Sequence, residues 1–384
     1  MNDLFGRRPA YCAPMPGPAV DLALELVRLD TINPPGREAA AAELLARRLE
    51  RAGLEVERHE HAPGRTSLVA RLAGDGRRPP LCLTGHLDTV PLGGAPWTVP
   101  PFGELRDGRL HGRGASDMKG GVAAIVVAAE RVAAEAPGPA LELVLCAGEE
   151  TGCEGARHLV AAGALGRAGA VLVAEPTGGV PHLGHKGVLW VNATAEGVAA
   201  HGSAPHLGRN AIVPLASAVA AIADVALDAT EHPLLGGPTL SIGTISGGTV
   251  VNAVPDRARA GIDVRTVPGM STAAVLEVLA AAAGPEITLT PWVDLAPVVT
   301  DAADPFAALC RTVAEEVVGV RPTPRGLSYF TDAAALTPAY GGPPTVIWGP
   351  GEAAQAHQTD EWADAARIEA AADAFAAVAR RWGA

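Results

Sequence analysis

Apolar positions along this chain follow two different periods. Over 20–29 and 38–52 they return every three to four residues, as on the buried stripe of a helix, and Gly53 closes the second stretch. Over 81–84, 141–147 and 170–174 they run almost without interruption, which suits strands covered on both faces. Helical spacing returns over 120–134 and 155–162, and two further strands are predicted at 54–59 and 66–72. Strand and helix in alternation predict an α/β domain on a mostly parallel sheet.

Past Gly184 the period changes. Residues 186–196 alternate, with Val188, Trp190, Asn192 and Thr194 on one face, as in an antiparallel strand. A helix (210–226), two strands (239–245 and 258–266), a helix (272–283) and a strand (287–292) follow. That order is ferredoxin-like. Residues 186–296 are therefore expected to form an inserted α+β domain between two segments of the first domain, 1–185 and 297–384. The second segment carries a predicted helix at 304–318, a strand at 345–348 and a closing helix at 363–381, and residues 1–17 read as a Pro-rich arm.

Composition changes this picture little. A net charge of −12 argues against nucleic acid or an anionic membrane as partner, since both need clustered Lys and Arg. The five cysteines are scattered, without C-x-x-C spacing, which predicts no disulfide framework and a reducing compartment. No stretch nears the roughly 18 apolar residues of a membrane span, and no signal peptide is evident. A cytoplasmic location is the expectation.

The chemistry gathers just after predicted strands, where open α/β sheets bind ligands. The first apolar run leads into Gly85-His86-Leu87-Asp88-Thr89-Val90. Carboxylates follow in Ser116-Asp117-Met118-Lys119, Gly148-Glu149-Glu150-Thr151 and Ala174-Glu175-Pro176-Thr177, and a second histidine in Ala356-His357-Gln358-Thr359-Asp360-Glu361. Singly each has a plain structural explanation: Asp117 as a helix cap, Glu149-Glu150 as solvated surface, Glu175-Pro176 as a turn. Together they suit zinc, which takes imidazole and carboxylate ligands, and two zinc ions sharing one carboxylate. Asp117 would bridge, His86 and Glu175 would complete one metal, and Glu150 and His357 the other. Glu149 is then left as general base. Asp88, two residues beyond His86 on the same strand face, would hold its imidazole.

These stretches, with Gly112-Arg113-Gly114-Ala115-Ser116-Asp117-Met118-Lys119-Gly120-Gly121, resemble the acetylornithine deacetylase / succinyl-diaminopimelate desuccinylase / glutamate carboxypeptidase family. The resemblance runs from about residue 20 to the end. It implies a zinc-peptidase-like catalytic domain with an inserted lid that commonly serves for homodimerisation. It gives the same roles to His86, Asp117, Glu150, Glu175, His357, Glu149 and Asp88. It adds His201, in Ala200-His201-Gly202-Ser203, as the lid histidine that reaches the other subunit's site and polarises the scissile carbonyl. Asn252, Arg265, Thr331 and Gly351 resemble substrate-binding positions, and Arg is the natural bidentate partner of a carboxylate.

The activity implied is hydrolysis of an N-acyl amino acid by metal-activated water, with two Zn2+ and with Co2+ or Mn2+ able to substitute. The loop Gly349-Pro350-Gly351 looks closer to the acetylornithine deacetylases, so acetylornithine is the first expectation for substrate. A desuccinylase, or a carboxypeptidase or dipeptidase acting on short peptides, is the alternative within the family. An inactive ligand-binding relative would usually have lost a ligand or the base, and here every position is filled.

Overall fold

The apolar runs become the middle of a six-stranded sheet. The computed structural model describes residues 17–135, 138–319 and 322–384. The spatial order of the sheet is Glu55–Ala62, Arg65–Leu72, Leu141–Cys146, Leu81–His86, Ala170–Pro176 and Thr345–Gly349. The last four strands pair in parallel; the first two are antiparallel to each other, and the second is antiparallel to its inner neighbour. Three inner strands are buried from end to end, so they carry apolar residues on both faces rather than an alternation.

Each face has its own cover. Leu81, Leu83, Leu141, Leu143 and Leu172 pack with the helices Pro18–Val27, Ala39–Arg51, Gly120–Ala133, Pro305–Val318 and Ala365–Gly383. Cys82, Val144, Val171 and Val173 face the other way, toward Glu154–Ala161 and Ala333–Ala339.

The second sheet has the order Thr239–Gly247, Arg257–Thr266, Gly187–Glu196, Ile287–Leu295, and every pairing is antiparallel. The helices Ile212–Ala223 and Thr272–Ala283 cover one face around a separate core that includes Val191, Ala193, Leu215 and Leu279. Strand succession and sheet order are those of a ferredoxin-like unit.

Some features went unpredicted. The first two strands add an antiparallel edge to the parallel sheet. Three short strands, Glu104–Arg106, Arg109–His111 and Trp362–Asp364, form a sheet of their own. The helix Ala333–Ala339 was also unforeseen. The helix expected over 210–226 runs Ile212–Ala223; it starts later because the Asn210 side chain accepts from Ile212 N and Val213 N and so sits ahead of the first turn. The arm at 1–17, apart from Gly17, and Cys12 lie outside the described residues; Cys82, Cys146, Cys153 and Cys310 are buried free thiols. Among the described residues no helix is long and apolar enough to cross a membrane.

Candidate metal centre and active-site cleft

Parallel strands deliver their carboxyl ends to one edge of the sheet, and the ligand types collect there. His86 ends its strand, Glu149 and Glu150 follow Cys146, and Glu175 is the penultimate residue of Ala170–Pro176. Asp117 comes from the tight turn before the helix Gly120–Ala133, and His357 from the loop after Thr345–Gly349.

Two triads result, and they share Asp117. His86, Asp117 and Glu175 form one, and Asp117, Glu150 and His357 the other, with ligand atoms in each within 4.8 Å of one another. His86 Nε2 is 3.1 Å from Asp117 Oδ1 and 3.9 Å from Glu175 Oε1. His357 Nε2 is 3.1 Å from Glu150 Oε2 and 3.5 Å from Asp117 Oδ2. Two atoms each about 2.0–2.1 Å from a tetrahedral ion lie roughly 3.3 Å apart, so these separations fit a metal between them. The side chain of His86 is 1% exposed and that of His357 53%, which puts one triad inside and the other at the mouth.

The electrostatics fit the same occupant. Burial first, and then neighbouring carboxylates, push Glu149 and Glu175 well above the usual carboxylate range, and Glu150 upward too. Burial opposes the charged form of His86, yet hydrogen bonds to Asp117 and Asp88 and the nearby Glu175 raise it well above its ordinary value. Buried carboxylates crowded this closely repel one another, and divalent cations are the partners that relieve such repulsion.

Asp88 is fully buried and ties the site together. Its carboxylate accepts from Glu149 N at 3.1 Å, from Glu150 N at 3.3 Å and from Asn33 Nδ2 at 2.8 Å. His86 Nδ1 lies 3.0 Å from Asp88 O and 3.5 Å from Asp88 Oδ1. Glu361 does the same for the Asp117 turn, accepting from Gly114 N, Ser116 N, Asp117 N and Arg113 Nη1. Asn33 and Glu361 were not singled out from the sequence. Glu361 lies within the quoted His357 stretch, but nothing near it in sequence points to the turn it supports.

The triads stand at one end of a cleft of about 680 Å³. Arg265 lines it. Two of its nitrogens bind Asp263, Nε and Nη2 each at 2.8 Å, while Nη1 is buried without a partner. Trp190, Tyr329 and Phe330, unforeseen as site residues, also line it. The remaining expected positions lie elsewhere. His201 and Asn252 are exposed, sit side by side on the second unit, where Gly202 N donates to Asn252 O, and are not part of this wall. Thr331 is fully buried, its Oγ1 accepting from Ala333 N. Gly351 is buried where a side chain would run into Ser116 O, so it packs its loop onto the Asp117 turn.

The chain is similar to known proteins in sequence and in fold. The model of peptidase family M20/M25/M40 matches residues 82–381. A succinyl-diaminopimelate desuccinylase of Cereibacter sphaeroides is 34% identical over 92% of this chain and 96% of its own length. An acetylornithine deacetylase of Myxococcus xanthus is 33% identical over 90% and 93%. The fold is similar to that of an M20 family metallo-carboxypeptidase from Sulfolobus solfataricus, with a TM-score of 0.79, 18% identity, and 96% and 99% of the two chains covered. With its sheet, its paired triads and these relatives, the chain belongs to peptidase family M20/M25/M40 and is a hydrolytic enzyme.

Proposed function

We propose that the enzyme hydrolyses the amide bond of an N-acyl amino acid or short peptide with two divalent metal ions. His86, Asp117 and Glu175 hold one ion, and Asp117, Glu150 and His357 the other. One observation carries this: two ligand triads share Asp117, while Glu149 beside them belongs to neither. Zinc suits the imidazole and carboxylate donors, with Co2+ or Mn2+ as substitutes. Bound there, the metals supply carbonyl polarisation and a water acidified toward a pKa of ~7.

The chain's own residues do the rest. Glu149 takes the proton of the attacking water and passes it to the leaving amine. Asp88 fixes the His86 ring and the Glu149–Glu150 backbone at once. Arg265, on the cleft wall, is the cation for the substrate carboxylate. Under this proposal residues 1–185 and 297–384 are the catalytic domain and 186–296 a lid that pairs with a second copy. His201 and Asn252, exposed and off their own cleft wall, then serve the partner's cleft, His201 on the scissile carbonyl and Asn252 on the carboxylate. The relatives support removal of an acetyl or a succinyl group equally.

Amine release from a panel of N-acyl amino acids and dipeptides, by zinc-loaded protein, tests this. Glu149→Ala is expected to keep two metal equivalents and to lose about 10²–10⁴-fold in kcat. Wild-type protein carrying two metals yet silent on the whole panel would sink the proposal.

A further inference from the structure

Away from the triads the cleft wall is aromatic and aliphatic. Trp190 meets Phe330 edge-on, with ring centroids 5.6 Å apart, and is backed by Trp292 at 4.9 Å. The Arg265 guanidinium lies 5.2 Å from the Phe330 ring centroid, so the one cation that reaches a substrate carboxylate sits against this wall. The Tyr329 hydroxyl is already used, donating to Pro176 O at 2.7 Å.

Apart from Arg265, charge is confined to the metal end. Among the described residues lining the cleft, the carboxylates are Asp117, Glu149, Glu150 and Glu175, and the only groups able to carry positive charge are Arg265 and His357. Of the described acids just off this wall, Glu352 is taken by Arg367 and Asp263 by Arg265, and Asp332 is buried behind it and does not line the cleft. Once Arg265 holds an α-carboxylate and a second copy's His201 is engaged on the scissile carbonyl, the described lining residues leave no cation for a second carboxylate and no free acid for a side-chain ammonium. Desolvating either charge unpaired is strongly unfavourable, whereas an apolar side chain gains by leaving water for the rings.

We infer, on the basis of the amidohydrolase function proposed above, that the substrate is an N-acyl α-amino acid whose side chain is uncharged and apolar. Its carboxylate sits on Arg265 and its side chain packs on Trp190 and Phe330. This moves the assignment away from acetylornithine and from substrates with a second carboxylate.

The test compares near-isosteres. Zinc-loaded enzyme is assayed on N-acetyl-L-norleucine and N-acetyl-L-phenylalanine against N-acetyl-L-ornithine, N-acetyl-L-glutamate and N-succinyl-diaminopimelate. The expected result is a kcat/KM at least about 10-fold higher for norleucine than for ornithine. Calorimetry on zinc-loaded Glu149→Ala should show the same order in binding without turnover. Trp190→Ala should raise KM for norleucine more than it lowers kcat. Ala354→Asp, on an exposed stretch of the wall, adds a free acid and should shift the ornithine-to-norleucine ratio about 10-fold toward ornithine. Equal or better activity of the wild type on ornithine or on a dicarboxylate overturns the side-chain assignment and leaves the amidohydrolase function standing. No hydrolysis and no binding of any compound, with two metals present, overturns both.

Discussion

At the scale of single residues, Asp88 carries more than a histidine partner's share. It accepts two backbone N–H groups of the loop that holds Glu149 and Glu150, and the Asn33 amide besides. Asp88→Asn keeps the shape but replaces an acceptor by a donor facing donors, so metal affinity and kcat are expected to fall about 10–100-fold. Asn33→Ala on top of it should add less than it costs alone, because both act on one network; additive losses in equilibrium dialysis and kinetics would separate them. Asp88 was legible because it stands two residues from His86. Asn33 was not, since Asn-Pro-Pro-Gly reads as a chain break and its partner lies 55 residues on. His185 has a consequence for pH. It is fully buried, and burial lowers it to about 4. The unfolded chain, titrating near 6.5, then binds the proton that the folded chain refuses, so stability is undiminished above pH 6.5 and declines as pH falls toward 4. Urea unfolding at pH 7 and 4.5 should show the wild type losing about 2 to 3 kcal/mol more than His185→Leu. Parallel losses would mean that the proton goes elsewhere.

At the scale of elements, the buried strands and long helices were readable because each shows one period for long enough. Strands of three residues and the helix Ala333–Ala339 carry no such signal. Nor did the sequence reveal what holds two active-site loops in register. Arg65, on the strand Arg65–Leu72, binds the fully buried Glu38 through Nε at 2.9 Å and Glu154 through Nη1 at 3.2 Å. Gly36 and Gly148, at φ of 77° and 73°, both press against its guanidinium: a Cβ on Gly148 would stand 2.6 Å from Nη2. One side chain thus backs the turn that carries Asn33 and the loop that carries Glu149. Arg65→Ala strands the Glu38 carboxylate in the core and is expected to cost about 3–5 kcal/mol. Replacing both, with Arg65→Met and Glu38→Gln, should recover much of that stability but not the kcat lost when the Glu149 loop loses its backing. Recovery of both together would reduce the pair to a stability element.

At the scale of the molecule, exposure is what the sequence could not supply. The strand Thr239–Gly247 lies at the edge of the second sheet, and Ile245, Val250 and Val251 are exposed near it, Val251 completely. An open edge beside exposed apolar residues invites pairing with another chain. His201 and Asn252 stand on the same unit, away from their own cleft. If a second copy docks there, each cleft is built from two chains, and two dead variants can repair each other. Glu149→Ala lacks a base, and His201→Ala lacks a residue delivered to the partner. In a mixed dimer the cleft of the His201→Ala chain has its own Glu149 and receives His201 from the other chain. Equal mixing with free exchange gives half mixed dimers with one working cleft of two, so activity should return to about 25% of wild type. Val251→Glu should leave a monomer by light scattering and prevent that recovery. No return of activity, with mixed dimers shown to form, would mean that His201 does not serve the partner's cleft.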